Sequence, residues 1–125
     1  MKNMIIIDAN MILRFLLNDN QVQAQEAEQI LQKQQVTLLH VVIAEIVYVL
    51  EKLYKVNRHE IINQLNLLIT RRNVVVQDVD VLQAAFELFT GKNLDFVDCL
   101  LCGYASMRGA EIATFDKGIL KTLKR

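Results

Sequence analysis

A chain of 125 residues that is 53% hydrophobic and has no proline can bury one core, and it falls outside the disordered and proline-rich classes. Lys plus Arg and Asp plus Glu balance at 14 each, so no global basic field marks a nucleic-acid binder. Any such contact would need a local patch or a bound cation. The longest apolar stretch, "VTLLHVVIAEIVYVL", is interrupted by Glu45, and the N-terminal apolar run is too short for a secretory leader. These features predict a single cytoplasmic domain over 1–125, with no membrane segment.

Along the chain, "MIIIDANMIL" opens with a short buried strand over Ile5, Ile6 and Ile7, closed by Asp8. "ANMILRFLL" is apolar at helical spacing, and "NQVQAQEAEQILQKQQ" is a polar-faced helix with Val22, Ala27, Ile30 and Leu31 inward. "VTLLH" is the second strand. "VVIAEIVYVLEKLYKV" is rich in β-branched residues but too long for a strand, which predicts helix. "NRHEIINQLNLLITRR" is an amphipathic helix capped by Asn57, and "NVVVQ" is a third strand. "DVDVLQAAFELFTG" and "NLDFVDCLLCGYASMRG" are helices ending at Gly91 and Gly109. "EIATF" is a fourth strand, and Asp116 begins a basic final helix.

Short strands alternating with helices, with no hairpin dipeptide between strands, predict a parallel sheet covered by helices on both faces. Cys99 and Cys102 sit in "CLLC" inside an apolar helical run, far in sequence from His40 and His59. They read as small core residues rather than zinc ligands or a redox pair.

In open parallel sheets, ligands gather beyond the carboxyl ends of the strands. Asp8 and Asp116 leave the first and fourth strands at that edge, and Glu45 lies about a turn into the helix after the second. Glu45 is the only charge in "VVIAEIVYVL", and Asp98 is similarly set in "FVDCLLCGYA", with Asp95 one turn earlier. Each acid has a plainer reading: Asp8 and Asp116 as helix caps, Asp95 as a first-turn carboxylate. A buried acid needs a partner, however, and few cations lie near Glu45 and Asp98 in sequence. Two carboxylates about 5 Å apart at a dielectric of about 20 repel by roughly 3 kcal/mol. Four in one cleft call for a divalent cation, and oxygen ligands favour Mg²⁺ or Mn²⁺. The chemistry this suggests is phosphodiester hydrolysis by a metal-activated water.

The stretches "IIIDANMILRFLL", "VVIAEIVYVLEKLY", "LDFVDCLLCGYA" and "IATFD" resemble, in order and spacing, the four acidic motifs of the PIN domain family, especially the VapC-type toxins of toxin–antitoxin pairs. The resemblance implies a three-layer α/β/α fold with a short parallel sheet of four strands, or five. It implies Asp8, Glu45, Asp98 and Asp116 as catalytic acids and metal ligands, with Asn10, Thr114 and Asp95 in support. It further implies a Mg²⁺-dependent endoribonuclease inhibited by a cognate antitoxin; the favoured mechanism is attack by a metal-bound water, leaving a 5′-phosphate and a 3′-hydroxyl. Two departures stand out: Ala44 replaces a frequent hydroxyl residue before Glu45, and little sequence follows Asp116 for a fifth strand.

RNA would need cations around that acidic centre. Arg14 is one candidate, and Lys117, Lys121 and Arg125, spaced four apart with Lys124 beside them, form another; helix-dipole pairing at a C-terminus explains the latter equally well. The apolar helices also predict a homodimer and a groove for an antitoxin helix. The alternatives are a receiver-like Mg²⁺-binding signalling domain and a PIN scaffold without catalysis. The receiver reading suffers because the third strand ends in Gln77 where it needs an aspartate.

Overall fold

The computed structural model describes residues 4–124, which form two compact units meeting in sequence at Gln77 and Asp78. Among the described residues no helix is long and apolar enough to cross a membrane.

In the first unit, β-branched runs form a parallel sheet of three strands in the order β1 (Ile5–Ile6), β2 (Val36–Leu38), β3 (Val74–Val76). Ile5 pairs with Val36, and Val36 with Val74, so β2 is central. Its Val36 and Leu38 are fully buried. The expected first strand is shorter than its sequence suggests. Side chains alternate across a strand, so Ile7 is buried while Ile6 is 54% exposed.

Four helices accompany the sheet: α1 (Ala9–Leu17), α2 (Gln21–Lys33), α3 (His40–Tyr48) and α4 (Arg58–Ile69). Polar side chains start three of them. Asp8, Asn20 and Asn57 accept hydrogen bonds from the backbone N–H groups of Met11, Gln23 and Glu60 at 2.9, 3.1 and 2.8 Å. A side-chain cap of this kind contributes about 1 kcal/mol. At α3 the donor is satisfied from outside, because Gln77 Oε1 accepts from His40 N–H at 2.8 Å. Gln77, at the end of β3, therefore has a structural task at the position a receiver domain would give to an aspartate.

The core of this unit comes from one face of each helix: Ile12 of α1, Ala27 and Leu31 of α2, Ile43 and Ile46 of α3, Ile61 and Leu65 of α4. Burying each large side chain contributes roughly 1.5–3 kcal/mol. Val22, expected inward, is exposed; Ala24 takes the buried position on α2. After Tyr48 the chain continues as a π-helical turn over Val49–Leu53. The long apolar run is thus helical, as its length predicts, but changes its hydrogen-bond register before it ends.

The second unit comprises α5 (Val79–Gly91), α6 (Phe96–Arg108) and α7 (Lys117–Leu123). Helices α5 and α6 approach closely: a Cβ on Gly103 would lie 2.8 Å from the carbonyl oxygen of Val81. Phe96 meets Phe89 edge-on, with centroids 5.5 Å apart, and Phe86 at 6.1 Å. Such aromatic pairs add about 0.5–1.5 kcal/mol beyond their buried area. Cys99 and Cys102 are buried within this packing, as their apolar setting predicts. Gly109 closes α6 at φ 67°, a left-handed cap that favours glycine.

The expected fourth strand is absent among the described residues. Positions 109–116 carry no regular structure, and Phe115 is fully exposed. The β-favouring composition of "EIATF" is a statement about side chains; a strand also needs a neighbour to complete its ladder.

Candidate active site

Helix α6 begins at Asp95 and carries Asp98 in its first turn; α7 begins at Asp116. The second unit thereby brings Asp116 and Asp95 within electrostatic range of Asp98. Asp98 is half-buried. Burial is the main influence that raises its pKa above the ordinary 3.8, and the negative charges of Asp116 and then Asp95 raise it further. No Lys or Arg among the described residues forms an ion pair with any of the three. The same environment reaches the Cys102 thiol: burial, then Asp98 and Asp116, push its pKa above 9.0, which keeps it protonated and unreactive at neutral pH.

Asp116 has two local tasks. Its Oδ1 accepts from Ile119 N–H at 2.9 Å, and its own N–H donates to Thr114 Oγ1 at 3.0 Å. Thr114 thus engages the Asp116 backbone through its hydroxyl. The cap engages one carboxylate oxygen and is compatible with a second function for the group. Asp95 stands at the N-cap position of α6 without making a side-chain cap bond, so it is not the capping carboxylate that its sequence position suggests.

Asp8 and Glu45 belong to the first unit. Asp8 is exposed, and its Oδ1 is occupied by the cap to Met11 N–H. With Asn10, Met11 and Arg14 of α1 and Gln23 and Glu26 of α2, it lines a cavity of about 160 Å³. Glu45 corrects the sequence reading. It is exposed, not embedded: α3 turns His40, Ile43, Ile46 and Val47 inward and presents Val41, Glu45 and Tyr48 outward. Val41 and Tyr48 are 72% and 59% exposed, so the apolar run that seemed to enclose Glu45 includes an outer face.

All the candidate acids offer hard oxygen donors, which suit a Mg²⁺-like cation and not a soft metal. Among the described residues, no three His, Cys, Asp or Glu side chains stand close enough to form a ready-made metal centre. The donor chemistry fits such an ion.

Of the cationic candidates, Lys117 and Lys121 are exposed on α7, and Lys124 follows it. Arg125 lies outside the described residues. Arg14 is committed within its own unit, with Nη1 2.8 Å from both oxygens of Asp19. Glu26 has no counterpart among the motif residues; only the packing of α2 beside α1 reveals that it shares a cavity with Asp8.

No curated protein matches the chain. A family model described as PIN domain matches residues 5–124, which spans the three-stranded parallel sheet, the capped acids Asp8 and Asp116, and the acidic first turn of α6. The chain therefore belongs to the PIN domain family, whose members are generally metal-dependent nucleases.

Proposed function

We propose that the protein is a Mg²⁺- or Mn²⁺-dependent endoribonuclease and the toxin of a toxin–antitoxin pair. The observation that carries this reading is the half-buried Asp98, held near Asp116 and Asp95 with its carboxyl already resisting ionisation. Mutually repelling acids cost stability, and such arrangements are characteristic of functional sites.

In this reading Asp98 and Asp8 are the principal metal ligands, while Glu45 and Asp116 hold a second ion or orient the attacking water. When bound, a divalent cation would lower the pKa of a water and neutralise charge on the phosphate. The chain's own residues supply placement. The Asp8 and Asp116 caps fix one oxygen of each carboxylate against a helix start, and Thr114 fixes the Asp116 backbone. Lys117 and Lys121 provide exposed positive charge beside Asp116 in sequence, suited to an RNA backbone. Val41 and Tyr48 on the outer face of α3 support an association surface for a second copy and for an antitoxin segment.

The test is RNA cleavage by the purified chain with Mg²⁺ or Mn²⁺, with EDTA, and in Asp8→Asn and Asp98→Asn. Both amides preserve shape, and asparagine caps a helix as well as aspartate does, so the variants fold. Cleavage that needs the metal and is lost in each folded variant supports the reading. Equal rates in EDTA, or wild-type rates in either variant, defeat it. Growth arrest on expression, relieved by a neighbouring gene product that copurifies, tests the toxin role.

A further inference from the structure

We infer that the cleft between α1 and α2 beside Asp8 is a subsite for one nucleobase and that it selects guanine; this rests on the ribonuclease reading above. The cleft is built from two facing helical rows. Asn10 and Arg14 stand one turn apart on α1, and Gln23 and Glu26 one turn apart on α2. Its volume of about 160 Å³ equals that of roughly five waters, the scale of a single flat ring system.

The groups in it are unusually complete for reading a base edge. Arg14 can only donate, Glu26 as a carboxylate can only accept, and Asn10 and Gln23 can do both. Arg14 is also held in place. Asp19 takes its Nη1 at 2.8 Å, while its Nε is buried and has no hydrogen-bond partner. The Asp19 contact fixes the guanidinium, and a base in the cleft would meet it through the donors that Asp19 leaves.

Guanine matches that inventory on both sides. Its O6 and N7 are acceptors, the commonest specific partners of arginine among the bases. Its N1–H and N2 amino group form an adjacent donor pair that two oxygens of one carboxylate can accept. Adenine and cytosine offer only one amino group at that edge, and uracil a single imide N–H. In a single-stranded RNA the base is free to leave its stack and present this edge. Because Asp8 lines the same cleft, the base read would belong to a nucleotide close to the reacting phosphate.

The experiment titrates the ¹⁵N-labelled protein with 5′-GMP, AMP, CMP and UMP in the absence of metal, observing the Asn10 and Gln23 side-chain amides. GMP should shift both signals with an affinity about tenfold or more above the other three, and Glu26→Gln should lose that margin. Glu26 is exposed, so the variant leaves the core intact. Shifts of equal strength with all four nucleotides, no shift at all, or a GMP preference unchanged in Glu26→Gln would overturn the inference. RNA cleavage is then measured separately on substrates with and without guanine. Selective GMP binding without any cleavage retains the subsite and removes the nuclease reading; cleavage without GMP selectivity does the reverse.

Discussion

Replacing Gly103 with alanine places a methyl carbon 2.8 Å from the backbone oxygen of Val81 and 3.3 Å from Val81 Cγ1. The oxygen belongs to helix α5 itself and cannot swing aside as a side-chain tip would. Helices α5 and α6 must part by a few tenths of an ångström, opening the packing that buries Val81, Ala85 and Cys99. Overpacking of this kind costs about 1–3 kcal/mol, and a rigid backbone contact belongs at the upper end. Alanine recovers about 1 kcal/mol of helix propensity over glycine, which leaves a net loss of about 2 kcal/mol. At this chain length that lowers Tm by about 8 °C. Gly91 supplies the control, since it ends α5 with nothing within 4 Å of its would-be Cβ. Gly91→Ala should be neutral or stabilising by up to about 1 kcal/mol. Calorimetric or circular-dichroism melts of the two variants against wild type decide the matter. A Gly103→Ala protein as stable as Gly91→Ala would refute the close packing that fixes α6, and with it the placement of Asp98.

Asp98→Asn should melt higher than wild type without metal at neutral pH. Because the folded pKa of Asp98 is raised, the wild type loses stability as pH rises through that pKa, so the gap should close toward pH 3.8 and below. A gap that widened on acidification would reverse the assigned sign. Mg²⁺ should stabilise wild type by about 2.7 kcal/mol at one hundred times its Kd, and Asp98→Asn less, as read by thermal shift. Asp116→Ala should be about 1 kcal/mol less stable than Asp116→Asn by denaturant unfolding, because both relieve the repulsion with Asp98 and only asparagine keeps the cap to Ile119 N–H. Alkylation at pH 8 should leave Cys99 and Cys102 unmodified until the protein is unfolded; prompt labelling of the native chain would contradict their burial.

Helices were legible where polarity and caps agree. Asn57, Gly109 and Asp116 mark their boundaries in the sequence and in the structure alike. Local chemistry sets these ends, and local chemistry is what a sequence contains. Strands were less legible because their partners are distant: "VTLLH" has neighbours on both sides, whereas "EIATF" has none among the described residues. Glu45 misled through composition. Nine apolar neighbours suggest burial, but a helix that leaves Val41 and Tyr48 exposed leaves Glu45 exposed with them. Asp98, in a similar sequence setting, is half-buried on α6. Glu26 could not be singled out from spacing, since its meeting with Asp8 depends on how α2 packs beside α1. The receiver alternative fails on Gln77, whose contact with His40 N–H depends on how the end of β3 meets the start of α3.

The central claim is that carboxylates hold a cation which activates water against an RNA phosphodiester. End-group analysis of RNA cut by the wild-type chain in Mg²⁺, alongside Asp98→Asn at the same concentration, addresses it most directly. Wild type should give 5′-phosphate and 3′-hydroxyl ends, and the folded variant no product. Ends bearing a 2′,3′-cyclic phosphate, or the same products from Asp98→Asn, would contradict it.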